Sequence, residues 1–493
     1  MTLRVTPWGK DNFKATSEEA EAKDWAYWQN RLNRASLVML AEEGIIKGDV
    51  ASRIAAAQKH SEDLQNQPDV PRLTDIMPLE KMLIETCGEE ATLIHTGRSR
   101  QDMFTTLNEA RLRLAVLDFY EALNRLRTRL LLIARENIET YIPAYTNGVQ
   151  AMPITLAFYL WGFLESFQRD SDRIIESYKR INQSALGVAV LACSSWPLNR
   201  ERLAELLGFE KPITNGLDAA QISLFDIPLE AASNAANVAI RIGTLVQDLA
   251  QQYSQTRPWL LLDSGAAYGS SAMPQKRNPG LVNNCRTESS SVIGEAQAEF
   301  FRAHNLQSGM IDPKNQTLNG ALALHAVKVL TMFNRVLKAL VINKDRALEE
   351  LNSDWTASQE VADRLMKEYG VPFRIGHHAA SHIVSYARAN NILPLDFPYA
   401  KMQEIYKEVI EKEFPEGDPK FPMSEEEFRE ALNPVSIVHN RKTLGGPQPA
   451  ELERMLKEQT AENHLNEQWV ADKKAFIQSS LDKLNKEFET LGE

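Results

Sequence analysis

Cysteine is nearly missing from this chain: Cys87, Cys193 and Cys285 are the whole complement in 493 residues. An odd, sparse set in no metal-ligand spacing excludes a disulfide framework and a structural zinc site, and it suits a reducing compartment. All three read as small buried hydrophobes. Excess positive charge is missing as well. A net charge of −11 excludes a general nucleic-acid binder, which needs a basic footprint over phosphates. No dense Lys/Arg run offers itself to an anionic membrane surface. The most apolar run, residues 154–164, is too short to cross a bilayer, which takes about 20 residues. Residues 1–14 lack the apolar centre of a signal peptide. A soluble, cytoplasmic protein is expected.

Glycine (23) and proline (22) are also sparse, and they fall between long periodic segments, so helix dominates. Leu112, Val116, Phe119, Leu123, Leu126, Leu130 and Ile133 are spaced 4, 3, 4, 3, 4, 3, a heptad that predicts one long helix over 105–140. Pro143 is expected to end it, Pro153 to open a second long helix and Pro228 a third. The third is rich in Ala231, Ala232, Ala235, Ala236 and Ala239, which suits close packing at a bundle centre. A fourth follows Pro279 and a fifth covers about 318–342. Five long helices predict a bundle as the middle of three all-α domains, at 1–104, 105–355 and 356–493. The first would hold a helix starting at Thr16-Ser17-Glu18-Glu19 and another over 49–65. The third breaks into shorter helices at Pro372, Pro394, Pro398 and Pro415, then ends in a highly charged helical tail from 451.

Three polar clusters interrupt this pattern. The stretch Gly269-Ser270-Ser271-Ala272-Met273-Pro274-Gln275-Lys276-Arg277-Asn278-Pro279 sets hydroxyls, cations and amides just before a helix. Read locally, it is either a solvated turn or a mobile loop that offers a lysine, a serine and a helix N-terminus to an anion. His95-Thr96-Gly97-Arg98-Ser99-Arg100-Gln101-Asp102 is either a capping loop or a carboxylate clamp. Tyr145-Thr146-Asn147-Gly148-Val149-Gln150 reads more readily as a helix–helix turn than as a binding segment. The adjacent His377 and His378 point different ways on a helix, with no carboxylate at ligand spacing, so no metal is expected there.

The Ser270 loop resembles the signature loop of the aspartase/fumarase superfamily. The His95 to Asp102 cluster, Gly370-Val371-Pro372-Phe373-Arg374 and Gly445-Gly446 are similar, more narrowly, to argininosuccinate lyases. The resemblance implies a three-domain helical subunit and a homotetramer whose active sites are shared between chains. It implies elimination of an amine from an N-substituted aspartate to give fumarate, with no cofactor and no metal. By position, Ser270 would be the general base, with Lys276 and Asn278 holding the reacting carboxylate. Ser99, Arg100 and Thr146 would bind substrate carboxylates, with Gln101, Asn147 and Met273 also in substrate-binding positions.

The match breaks in places that matter. Gln101 replaces an asparagine, Asn147 replaces a histidine, and Asn283 replaces the glutamate that pairs with that histidine. Met310 and Asn315 stand where a tyrosine and a glutamine are expected, and Ile222-Ser223 where an Asp-Arg pair is expected. The fumarate-forming half is kept while the leaving-group half is rebuilt. The expectation is a carbon–nitrogen lyase for an N-substituted aspartate other than argininosuccinate, with Arg98 or a basic neighbour free to hold an extra carboxylate. Argininosuccinate lyase itself, or an inactive crystallin-like homologue, are the alternatives.

Overall fold

The computed structural model of the chain describes residues 23–309 and 317–492. Helix α1 (Trp25–Glu42) opens on Asp24, whose carboxylate accepts from the Tyr27 N–H at 2.8 Å. The start expected at Thr16 to Glu19 lies outside the described residues. Helices α2 (Gly48–Gln65) and α3 (Ile76–Cys87) follow, and a tight turn, Glu89–His95, leads into the bundle.

The heptad forms α4 (Arg100–Glu136), whose 37 residues span about 55 Å. Its buried row runs from Leu112 through Leu123 and Leu126 to Leu130. Each such side chain stabilises the fold by roughly 1.5–3 kcal/mol. The helix begins earlier than the heptad alone indicates, because Ser99 and Asp102 form a capping box. It also ends earlier. An antiparallel hairpin, β1 (Tyr141–Thr146) and β2 (Val149–Thr155), separates α4 from α5 (Leu156–Ile181), where the sequence suggested only a turn. Pro143 and Pro153 face each other in that ladder. Two residues without an N–H share one rung, so neither breaks a helix.

Short α6 (Arg200–Leu206) precedes a π-helical turn, Asp218–Ile222, that feeds α7 (Ser223–Gln252). Pro228 lies inside α7 instead of opening it. Helices α8 (Gly280–Ala303) and α9 (Thr317–Lys338) complete the bundle with α4, α5 and α7. Ala231, Ala232, Ala235 and Ala239 are buried, as close helix packing requires. The segment Gly320–Lys338 is apolar and long enough to cross a bilayer, yet half of it is buried within the protein, as in a core helix.

Two cores result. One joins α1 to α9; the other runs from Trp355 to Ile437 in the small C-terminal helices. Residues 449–490, grouped by sequence with the C-terminal unit, form one 42-residue helix. Its Leu452, Met455, Ile477, Leu481, Leu484 and Phe488 belong to the first core. Polar ties reinforce it: Lys474 pairs with Asp118 at 2.8 Å and Asn463 donates to Thr128 Oγ1 at 2.8 Å. Cys285 is buried as expected and Cys87 half-buried, but Cys193 is exposed.

Arg113, buried on α4, donates to the Leu207 and Gly208 carbonyls at 2.6 and 2.5 Å and lies over the Phe209 ring. It thereby satisfies the carbonyl end of α6 from inside the core. Arg113→Met should strand those carbonyls, each costing roughly 1–3 kcal/mol. A clearly lowered urea midpoint is expected, and an unchanged one would contradict this account.

Candidate active site

The head of α4 is built around one carboxylate. Asp102 accepts from the Ser99 N–H at 2.7 Å, the Gly187 N–H at 2.9 Å and the Val188 N–H at 3.1 Å. Burial pushes its carboxyl up to about 6, opposed by those N–H groups and by Arg98. The Ser99 hydroxyl donates to the Ala189 carbonyl at 2.7 Å and accepts from the Gln101 N–H. The Gln101 amide donates to the Ala220 carbonyl at 2.8 Å, a reach suited to its extra methylene. Arg100 stays exposed and pairs with Asp75.

Arg98 departs from expectation. Its guanidinium is buried, donating to Ser36 Oγ at 2.9 Å and Asn33 Oδ1 at 2.7 Å, and burial pulls it down to about 10. It braces α1 and is not available for a second substrate carboxylate. Gly97 has φ +68°, and a Cβ there would lie 2.2 Å from Leu198 Cδ1, so the turn needs glycine.

These contacts reveal a segment the sequence reading passed over. Residues 187–198 lie directly on the clamp, held by Asp102 and Ser99. Gly187, Ala189 and Cys193 all have positive φ, unusual for the last two. Only Gly187 carries a sequence signal for this.

At the hairpin tip, Asn147 (φ +51°) and Gly148 (φ +79°) form a two-residue turn between partners Thr146 and Val149. An Asn-Gly pair with both φ positive fits a type I′ turn. Asn147 therefore has a backbone reason to be asparagine, whatever its side chain contacts. Thr146 and Asn147 are both exposed.

The third cluster is a loop tied at its base by β3 (Tyr268–Gly269) and β4 (Arg277–Asn278), with Asn278 Nδ2 donating to the Tyr268 carbonyl at 3.3 Å. Ser270 Oγ accepts from the backbone N–H groups of Ala272 and Met273 at 3.2 and 3.1 Å. Donors aimed at a hydroxyl oxygen favour its deprotonated form. Lys276 is exposed, and its ammonium pairs with no carboxylate among the described residues. Met273 is exposed too, and Asn283 lies in the first turn of α8, also exposed. Met310 and Asn315 lie outside the described residues.

Within one chain the clusters do not converge. Ser99 to Gln101 sit at the start of α4, whereas the hairpin follows its other end, about 55 Å away by helix length. The Ser270 loop springs from the hairpin end: Asn343 N–H donates to Trp259 O and Lys344 Nζ to Glu136 O, both at 2.8 Å.

His95 gives the clamp a pH signature. Burial, then the Arg98 charge, holds its imidazole down to about 4, and its Nδ1 has no hydrogen-bond partner among the described residues. The unfolded chain takes up that proton near 6.5, so the neutral ring contributes stability above pH 6.5 that is lost as the pH falls towards 4. Between pH 7 and pH 5 the urea midpoint should fall further for the wild type than for His95→Gln. Parallel declines would remove His95 from the acid limb.

Comparison with known proteins agrees with this architecture. Residues 16–294 match the lyase family model, and residues 355–439 match that of the argininosuccinate lyase C-terminal region. An argininosuccinate lyase of Bacillus mycoides is 32% identical over 438 residues, covering 86% of this chain and 89% of that one. One from Methanocaldococcus jannaschii is 30% identical over 434 residues, covering 86% and 85%. A crystal structure of EDDS lyase in complex with formate superposes with a TM-score of 0.83 at 24% identity, covering 96% of this chain and 92% of that one, which establishes the shared fold. The chain belongs to the lyase family of the aspartase/fumarase superfamily and is an argininosuccinate lyase-like member of it.

Proposed function

We propose that this argininosuccinate lyase-like enzyme eliminates an amine from an N-substituted aspartate other than argininosuccinate, reversibly, to give fumarate. Ser270 Oγ takes the Cβ proton. The Cβ–H electron pair is held first as an aci-carboxylate dianion, then forms the C=C bond as the C–N bond breaks and its pair leaves with nitrogen. A proton beside a carboxylate is very weakly acidic, so most of the catalysis must come from stabilising that dianion. Lys276, Asn278 and the nearby N-terminus of α8 are the groups placed to do so.

The observation that carries the reading is the environment of Ser270. Two backbone N–H groups point at its Oγ, and on the same loop lies the exposed Lys276 ammonium, which pairs with no carboxylate among the described residues. Both lower the cost of a serine alkoxide.

Two consequences follow from the separation of the clusters and from Asn147 and Asn283. One chain holds Ser99, Arg100 and Gln101 about 55 Å from Thr146 and Asn147, which supports the reading that each site is assembled from several chains of a homotetramer. Amides do not titrate, so neither Asn147 nor Asn283 can hand a proton to the departing nitrogen. A secondary alkylamine nitrogen arrives already protonated, since alkylammonium pKa values lie around 10, and departs as neutral amine. The substrate and products are small molecules, and the protein is cytoplasmic with neither nucleic acid nor membrane as partner.

Ser270→Ala should lose fumarate formation by at least about a thousandfold with fold and oligomer intact, and Lys276→Met should be nearly as severe. Retention of most turnover in Ser270→Ala would overturn its assignment as base. Light scattering should give a tetramer. Mixing Ser270→Ala chains with Arg100→Ala chains should restore part of the activity; a strictly additive null result would refute shared sites.

A further inference from the structure

The wall beside the substrate clamp is apolar. Val190, Leu191 and Trp196 lie on the 187–198 segment, while Leu217 precedes the π-helical turn and Ile222 ends it; all five are more than a third exposed, Trp196 by 52%. They form one rim because the two segments are joined to the clamp and to each other. Ser99 bonds the Ala189 carbonyl, Gln101 bonds the Ala220 carbonyl, and Gln221 Nε2 reaches the Val190 carbonyl at 3.5 Å. Gly216 packs so tightly that a Cβ would lie 2.7 Å from the Leu191 carbonyl oxygen and 3.1 Å from Cys193 Sγ. On the far side Leu198 covers Gly97.

The backbone polar groups along the rim nearest the clamp are already engaged. The carbonyls of Ala189, Val190 and Ala220 are already accepting, and the N–H groups of Gly187 and Val188 are held by Asp102. Arg98 is buried, its terminal nitrogens donating to Ser36 and Asn33, and Arg200 is taken up by the Leu186, Ile213 and Thr214 carbonyls. Asp218 lies on the same turn, close enough to the buried Glu109 to act on its ionisation. Ile222 itself stands where the family resemblance calls for a charged residue.

We propose that this rim receives the amine portion of the substrate, and that the amine is hydrophobic: an alkyl or aralkyl amine rather than a guanidino, aminoalkyl or carboxyalkyl one. The inference rests on the reading of Ser99, Arg100 and Gln101 as the carboxylate clamp. A substrate held there through its succinyl carboxylate carries its N-substituent onto the neighbouring surface. Exposed leucine, isoleucine and tryptophan gain by burial against apolar groups and offer nothing to a second charge. Such binding is made equally in ground and transition states, so it is read mainly in KM.

The test measures fumarate release from N-methyl, N-hexyl, N-benzyl, N-(2-aminoethyl) and N-(carboxymethyl) aspartates and argininosuccinate, with wild type, Trp196→Ala and Ile222→Asp. N-hexyl and N-benzyl aspartate should exceed N-methyl aspartate in kcat/KM by on the order of 100-fold. Trp196→Ala should raise KM for the N-hexyl compound about tenfold more than for the N-methyl one. Ile222→Asp should shift preference toward the aminoethyl compound. Fumarate release with the aminoethyl or carboxymethyl substrate preferred would overturn the apolar assignment while leaving the proposed function intact, whereas a preference for argininosuccinate would overturn the apolar assignment together with the exclusion of argininosuccinate. Absence of fumarate from every compound would overturn both. Trp196→Glu should keep the tetramer mass; dissociation would make the rim a contact between chains and overturn its role as an amine receptor.

Discussion

A helix of 37 residues cannot bring its own two ends together. That constraint governs the rest of this molecule. The head of α4 carries the Ser99 cap and its neighbours, its tail leads into the hairpin, and no folding of a single chain closes a distance of about 55 Å. What α4 provides instead is rigidity. Its buried heptad row packs on α5, α9 and the final helix, so the polar groups at each end are carried by a packed body. Loops set on such a frame can be strained, as Ala189 and Cys193 are, because the frame fixes both of their ends.

The Asp102 carboxylate is where that frame becomes a site. It caps α4 and anchors the turn at Gly187 and Val188, and its charge is felt by Arg98, which in turn reaches α1 through Ser36 and Asn33. Three separate stretches of chain are thus positioned by a buried carboxylate, a buried arginine whose charge acts on it, and the hydrogen bonds of each. The exposed Arg100 and the hydroxyl of Ser99 inherit their positions from it.

How much of this was legible in the sequence depends on what kind of force sets each element. The heptad and the alanine-rich stretch announced long helices because burial repeats with the helical period, and the bundle followed. The hairpin did not, since its two prolines read as helix boundaries; the Asn147-Gly148 pair was the signal available for it. The Ser270 loop and the clamp stood out as polar clusters. The apolar 187–198 segment did not, since its part is played by backbone conformation and by exposed Val190 and Trp196, which resemble core residues on paper. Sequence also cannot say which arginine of Arg98-Ser99-Arg100 faces inward. Burial decides that, and it chose Arg98.

The last helix has a consequence for how the protein is made. Its apolar stripe packs on helices that include α1 and α4, which begin more than 300 positions earlier, and Gln459 meets Arg127 while Asn485 meets Arg34 at 3.1 Å. Contacts of that sequence separation form late. A nascent chain therefore leaves the ribosome with an open hydrophobic furrow along the bundle, and at about 5–20 residues per second the 42-residue helix takes several seconds to be synthesised. Until it is complete, the furrow is open to any other apolar segment within reach, including the same furrow on a neighbouring nascent chain.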